Sequence, residues 1–483
     1  MKPVSENENE KPHREMRGVQ IVAVVAALIA TVLLGIGLAL PLRPTYSASE
    51  KRALASFPTA SAETLLSGAY FTDLATWFSD TFPCRETLLS LGAKLESFYG
   101  PQGESFYGNK SAAVADTIPE TAESLAPVMT LAATEPEGVA DEANASATPS
   151  SLAHDKPATG ALDQYAALVE TNADGTLKEK KVEKAEVNGE QAGSIYVTNH
   201  RGYEIYYYNQ GGAVKYASMI NTYRARFPKC EVYDILVPNS FGVELDRSTQ
   251  AALGSSNMED AFNYIYSLID PEVHKVSVFE TLLQHKSEYI YFHTDHHWTG
   301  LGAYYAYMRF CDAKGIEPHS LRDYQKESFD GFYGTFYFST NRSEALKQNP
   351  DTVEAWLPIA TNEMEYINQL GEQGHAQIIN DVTNSNAGDK YSAFIHGDNP
   401  LTVIHNPHRS DGSACVLIKE SYGNAFAPYL VDHYEDVYVV DYRHFEGSIT
   451  QLIEEYGVED IIFLNNVMAL SERASGMMLG LLG

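Results

Sequence analysis

Basic side chains are scarce in this chain of 483 residues. Its 34 Lys and Arg face 64 Asp and Glu, for a formal charge of −30. Nucleic-acid affinity needs clustered Lys and Arg, so a phosphate-backbone partner is excluded, whereas neutral or acetylated sugars are not. Cysteine is scarce too: Cys84, Cys230, Cys311 and Cys415 stand far apart with no C-x-x-C pair. A zinc ribbon, a thioredoxin-like motif and a disulfide-rich scaffold are thereby excluded. No G-x-S-x-G elbow occurs, so the chain is not an ordinary α/β-hydrolase, and no H-E-x-x-H marks a zinc-protease helix. What the chain has is 44% hydrophobic residues, enough for a sizeable core, and a length that suits one large domain or two ordinary ones.

One long hydrophobic run is present. Ile21 to Leu40 carries no charge, and only Thr31 is mildly polar. Twenty residues at about 1.5 Å rise span the roughly 30 Å hydrocarbon core of a bilayer. Lys11, Arg14 and Arg17 precede the run and Arg43 follows it, which favours an N-terminus inside. A cleaved signal peptide has a shorter apolar region, and no A-x-A site follows this one. The pattern predicts a cytoplasmic tail over 1–20, a single-pass anchor over 21–42, and the rest of the chain outside the cytoplasm at the cell membrane.

Residues 45–109 read as the folded N-terminal part of the domain. From Glu63 to Phe78 apolar groups recur at helical spacing, Phe82-Pro83-Cys84-Arg85 interrupts them, and Glu86 to Phe98 resumes the pattern. Residues 111–160 hold no aromatic residue and eight acidic ones. Such a segment buries too little apolar surface to offset its ordering entropy, so 110–185 reads as a disordered acidic insertion. From 186 to 475 short strand-like runs alternate with helices. Strands are expected at Tyr233–Pro238, Lys275–Phe279, Tyr289–Phe292, Cys415–Lys419, Val437–Asp441 and Asp460–Leu464. Helices are expected at Met258–Ile269, Gly300–Ala313, from Gly423 to about Leu430, and at Ser448–Tyr456, with 316–410 irregular. This order predicts an α/β fold with a largely parallel sheet covered on both faces.

Open α/β sheets bind ligands beyond the carboxyl ends of their strands. There this sequence places Asn239, the run His293-Thr294-Asp295-His296-His297-Trp298, then Ser421, Asp441-Tyr442-Arg443-His444 and Asn465. Ser421 follows a strand and precedes a helix, a position that exposes a hydroxyl to helix N-terminal N–H groups. A serine needs a general base, and Asp295 and His297 can supply base and orienting carboxylate. The plainer reading of Ser421 is a helix N-cap. A metal at the histidine cluster is the other alternative, but adjacent His296 and His297 point poorly at one ion. No metal or cofactor is expected, and one histidine, His296 by preference, reads as a packed neighbour. Asp441 and Arg443 either orient substrate or form an ion pair bracing the strand end. Phe332, Tyr333, Phe336, Tyr337 and Phe338 either stack on sugar rings or pack a long loop.

The run Asp295-His296-His297-Trp298 resembles the DHHW family of bacterial cell-envelope proteins, which are similar to the alginate O-acetylation proteins of the AlgJ and AlgX type. Gly68-Ala-Tyr-Phe, Asp80 to Arg85, Lys419 to Phe426 and Val440 to Arg443 match further blocks of that family. The resemblance implies an SGNH-hydrolase-like three-layer sandwich with a triad of Asp295, His297 and Ser421. It also implies O-acyl transfer, or else esterase or scaffold activity, on a cell-envelope or exported polysaccharide, with a membrane-bound O-acyltransferase as partner. On this resemblance the backbone N–H groups of Ser421 and Gly423, with the Asn424 side chain, are candidates for holding an oxyanion. Asn239, Asp441 and Arg443 are candidates for oxyanion or substrate contact.

Overall fold

The computed structural model describes residues 43, 46–47, 52–53, 56–60, 69–83, 105–107, 115–119 and 195–483. The expected tail and anchor over 1–42 lie outside the described residues. Among the described residues no helix is long and apolar enough to cross a membrane. The chain divides into two compact units, residues 1–100 with 184–189, and residues 101–183 with 190–483.

In the first unit, a short ladder pairs β1 (Tyr46–Ser47) with β2 (Arg52–Ala53). Helix α1 (Ala69–Asp80) falls within the helical pattern read from Glu63 onward. Arg43 lies 3.9 Å over the Trp77 ring and donates to Thr81 Oγ1 at 2.7 Å.

The second unit carries the sheet that positions the site. A small antiparallel sheet joins β3 (Ser105–Tyr107), β4 (Ile195–Thr198) and β5 (Arg201–Glu204). The main sheet contains β6 (Glu231–Val237) and β7 (His274–Lys275). A bulged antiparallel pair, β8 (Gln325–Phe332) and β9 (Asp351–Leu357), stands apart from it. The main sheet is completed by β10 (Glu363–Ile367), β11 (Gln373–Gln377), β12 (Leu401–His405), β13 (Ala414–Lys419), β14 (Asp436–Asp441) and β15 (Asp460–Asn466). Its order is β11-β10-β12-β14-β13-β15-β6-β7.

The sheet is mixed. From β14 to β7 neighbours run parallel, whereas β12, β10 and β11 extend the β14 edge antiparallel. This corrects the expectation of a largely parallel sheet. All three added strands come from 316–410, where polar edge residues such as those of Gln373–Gln377 hide the period-2 alternation that marks a strand. The central parallel strands β13, β14 and β15 are buried along their whole length and apolar at their centres, because both faces are covered. Side chains alternate between faces: Cys415, Leu417, Val437, Val439, Ile462 and Leu464 enter one core. Val416, Ile418, Tyr438, Val440, Ile461 and Phe463 enter the other. Helices α2 (Gln210–Arg226) and α3 (Met258–Leu268) pack in the second core. Helix α4 (Gly300–Lys314) and α5 (Tyr422–Phe426) lie in the first. The second core also takes α6 (Ile449–Tyr456) and α7 (Glu472–Gly480).

Three further expectations change. Tyr289–Phe292 is no sheet strand; its contact is an isolated bridge from Tyr291 to Trp298. Lys275–Phe279 shortens to β7, and a helix starts at Phe279. Helix α7 carries the domain past 475, with Met478 buried and its carbonyl accepting from Tyr223 Oη at 2.7 Å. Within the acidic insertion, residues 115–119 are held rather than loose. The Asp116 N–H donates to Tyr208 O at 3.0 Å, its carboxylate accepts from Gln210 N at 2.8 Å, and Ile118 packs on the second core. The rest of the insertion before residue 186 lies outside the described residues.

Candidate active site

Glycines let α4 start close to its neighbours. A Cβ on Gly302 would lie 2.4 Å from Ile290 O, and one on Gly300 2.5 Å from Glu354 O. Thr299 caps the helix by accepting from Gly302 N at 3.2 Å. The start of α4 is thereby packed closely on Ile290 and β9, just after the loop 293–298. Asp351 holds the base of that loop, accepting from His293 N at 2.8 Å and Thr294 N at 2.7 Å. Burial pushes the Asp351 carboxyl up to about 6.

Trp298 locks this loop to the helix after β13. Its Nε1 donates to Tyr422 O at 2.9 Å, and Tyr422 Oη returns a hydrogen bond to His296 O. Two segments remote in sequence thus meet with fixed register. Across the junction, His297 Nε2 stands 2.8 Å from Ser421 Oγ and His297 Nδ1 2.5 Å from Asp295 Oδ1. Asp295 Oδ1 also accepts from His297 N at 3.0 Å, while Oδ2 accepts from Thr335 N at 2.6 Å. Gly334 makes room for that carboxylate, since a Cβ there would lie 2.1 Å from Oδ2.

The electrostatics follow from this wiring. Burial opposes a charged Asp295, but His297, His296 and the hydrogen bonds from His297 and Thr335 outweigh it and hold the carboxyl well below the usual range. An ionised Asp295 can only accept, so His297 carries its proton on Nδ1 and turns the Nε2 lone pair to the serine. Ser421 is 5% exposed, His297 7% and Asp295 3%, so little water screens the row. Such an arrangement can take a proton from a serine hydroxyl and stabilise the imidazolium that results.

Ser421 stands at the N-cap position of α5, but its hydroxyl does not cap the helix. Its backbone is helical (φ −59°, ψ −23°) and its side chain makes no capping hydrogen bond. The cap is supplied by Glu420, whose Oε2 accepts from Tyr422 N at 3.1 Å. The sequence reading passed over Glu420, although it lies inside the matched block next to Ser421. It also passed over Tyr391. That ring stacks on His297 at 4.0 Å and 13°, and its hydroxyl donates to Ser421 O at 3.0 Å. Nothing in the sequence around 391 marks it.

The other candidates have hydrogen-bond partners outside the row. Gly423 N–H donates to Glu420 O at 2.9 Å, and Asn424 Nδ2 donates to Asp398 Oδ1 at 2.8 Å. Asn239 caps the helix over Ser240–Glu244, and its amide also donates to Glu204 O at 2.8 Å. Asp441 and Arg443 form a bidentate pair at 2.9 and 2.7 Å, joined by buried Lys419, 2.8 Å from Asp441. Asp398 lies 3.1 Å from Arg443. The pair thus braces the β14 end. Phe332 and Phe336 are buried core residues; Tyr333, Tyr337 and Phe338 are half-buried, with the two tyrosine rings 4.6 Å apart. His296 packs beside His297, ring centres 3.9 Å apart. A ligand atom from each of Asp295, His296 and His297 lies within 4.8 Å of the others, yet both His297 nitrogens are already committed to Asp295 and Ser421.

The sequence profile of the DHHW protein family matches residues 50–440. The chain belongs to the DHHW family. Among solved structures, a DHHW family protein from Eubacterium siraeum is 28% identical, with a TM-score of 0.54 over 61% of this chain and 97% of that one. PatB1 of Bacillus cereus, solved with a sulfonyl adduct, is 17% identical with a TM-score of 0.50, covering 58% of this chain and 96% of its own. At that identity the likeness is one of fold. The O-acetyltransferase domain of Pseudomonas putida AlgJ, 11% identical with a TM-score of 0.31 over 58% of this chain and 96% of that one, is too distant to build on. No curated protein matches the chain in sequence. In this DHHW protein the family's four letters have separate tasks: Asp295 orients, His297 faces the serine, His296 packs, and Trp298 ties the loop down.

Proposed function

We propose that this protein is an O-acyltransferase, acetyl being the expected group, acting through Ser421, His297 and Asp295 on a cell-envelope or exported polysaccharide. The observation that carries the reading is the unbroken row from Asp295 through His297 to Ser421 Oγ. Ser421 Oγ attacks the acyl carbonyl carbon as its proton passes to His297 Nε2, and His297 then returns that proton to the donor's departing oxygen. In the second half, a sugar hydroxyl gives its proton to His297 as its oxygen bonds to the acyl carbon. The bond to Ser421 Oγ breaks, and the serine recovers the proton. With water as acceptor the same row hydrolyses esters. Asp295 keeps the imidazole oriented throughout.

The run Ile21–Leu40 with its preceding basic residues supports a single-pass anchor, a cytoplasmic N-terminus and a site outside the cytoplasm. A membrane-bound O-acyltransferase is the partner such a site needs to receive acyl groups there. The sulfonyl adduct on PatB1 suggests the probe. A sulfonyl fluoride should modify the wild-type protein at Ser421, and Ser421→Ala should fold, resist modification and lose acyl transfer by several orders of magnitude. Full acyl transfer by Ser421→Ala would end this reading.

A further inference from the structure

We propose that Glu420 is a positioning residue that frees the Ser421 hydroxyl from helix capping and holds it for His297. The proposal rests on the acyl-transfer reading and adds a residue to it. A serine between a strand and a helix is ordinarily consumed by the helix, its oxygen accepting an orphan N–H of the first turn. At α5 that duty has moved one residue back. The Glu420 carboxyl accepts from Tyr422 N at 3.1 Å, and its main-chain carbonyl accepts from Gly423 N at 2.9 Å. With those N–H groups satisfied, the Ser421 oxygen caps nothing and turns to His297 Nε2 at 2.8 Å.

The carboxyl is itself anchored. Its Oε1 accepts from Asn466 N at 3.0 Å, at the carboxyl end of β15, next to β13 in the sheet. Asn466 is fixed in turn, donating through Nδ2 to Val237 O at 3.2 Å on β6. Glu420 therefore ties the serine turn to the ends of two neighbouring strands. Its Oε2 also stands 3.2 Å from Ser421 Oγ, against 2.8 Å for His297 Nε2. The hydroxyl has one proton and two acceptors within hydrogen-bond distance, with the histidine the nearer. Glu420 is 1% exposed, and its carboxyl lies within hydrogen-bond distance of Tyr422 N, Asn466 N and Ser421 Oγ, so it is placed to act through the serine and not on substrate.

The test is steady-state hydrolysis of p-nitrophenyl acetate by Glu420→Gln and Glu420→Asp, beside Ser421→Ala. The amide of Gln must turn its NH2 either to the Asn466 N–H or to the Tyr422 N–H, and Asp is one methylene too short to bridge both. Each should lower kcat by about 10- to 100-fold with KM within about twofold. The rate of sulfonyl fluoride modification at Ser421 should fall in parallel. Unchanged kcat, or a rise in KM alone, in a folded Glu420 variant would overturn the proposal, as would failure of both variants to fold, which would make Glu420 a strut of the sheet. An active Ser421→Ala would instead sink the acyl-transfer reading itself, so the two failures are distinct.

Discussion

Asp295→Asn is the substitution whose effect can be worked most closely from the geometry. The amide is the same size as the carboxyl, so the Gly334 cradle accepts it without a clash. Both ends of the carboxyl, however, face main-chain donors, His297 N at 3.0 Å and Thr335 N at 2.6 Å. An amide can satisfy only one. If its NH2 faces His297, Nδ1 must accept, Nε2 carries the proton, and the histidine cannot take one from Ser421. If it faces Thr335, the tautomer survives but the imidazolium loses its counter-charge. A charge pair about 4 Å apart in a medium of effective dielectric about 20 is worth roughly 4 kcal/mol, or about 10³-fold in rate. Loss of the right tautomer costs about 10⁴-fold in serine triads. The expected loss in kcat for p-nitrophenyl acetate is therefore 10³- to 10⁴-fold (about) by either route. One orphaned buried N–H costs about 1–3 kcal/mol, so the thermal midpoint read by circular dichroism should fall by several degrees while the fold persists. A folded Asp295→Asn protein within tenfold of wild-type kcat would refute the argument.

His297→Ala should abolish ester hydrolysis, whereas His296→Ala should leave measurable turnover, because His297 alone lies between Asp295 and Ser421; the reverse result would show that the pair has been misassigned. Protease added to intact spheroplasts should digest the 195–483 region, and full protection would contradict a site outside the cytoplasm. Burial pushes the Asp234 carboxyl up to about 7, against the opposing pull of its Tyr216 hydrogen bond (2.5 Å) and Lys275. Its ordinary value is 3.8, so between these pH values the native state holds a proton that the unfolded chain has lost. Stability then falls as pH rises through that window, by on the order of 4 kcal/mol from this group, and the cost is complete above about pH 7. Asp234→Asn should show a shallower loss in urea melts between pH 5 and 8; identical pH dependence in both proteins would remove Asp234 as the cause. Glu244, pushed by burial to about 7, and Asp351 leave a residual slope of the same sign.

Part of this molecule was legible in one dimension because its signals are local. Ala414–Lys419, Asp436–Asp441 and Asp460–Asn466 are buried on both faces, and each has a short apolar centre between polar ends that reads as a parallel strand without reference to anything else. Gly300–Lys314 declares itself by Thr299 at its start and Gly315, at φ +75°, at its end. The spacing Asp295-x-His297 and the place of Ser421 between strand and helix are local as well, and the family resemblance they carry is what joined the three residues as an expected triad. The antiparallel strands β10, β11 and β12 within 316–410 were not legible: the polar, partly exposed residues of β10 and β11 gain β structure only from the neighbour they pair with, and the short buried run Leu401–His405 stands alone between irregular segments. Nor was the choice between capping and nucleophilic roles for Ser421. It depends on Glu420 taking the Tyr422 N–H and reaching Asn466, and on Trp298 and Tyr391 holding the histidine loop against α5. Those contacts join residues brought together only when β13, β15 and the 293–298 loop pack. The sequence by itself singled out Asp295, His297 and Ser421 as candidates for the chemistry; the tertiary structure decided which way the serine hydroxyl faces, because His297, 124 residues away, reaches it only once the chain has packed.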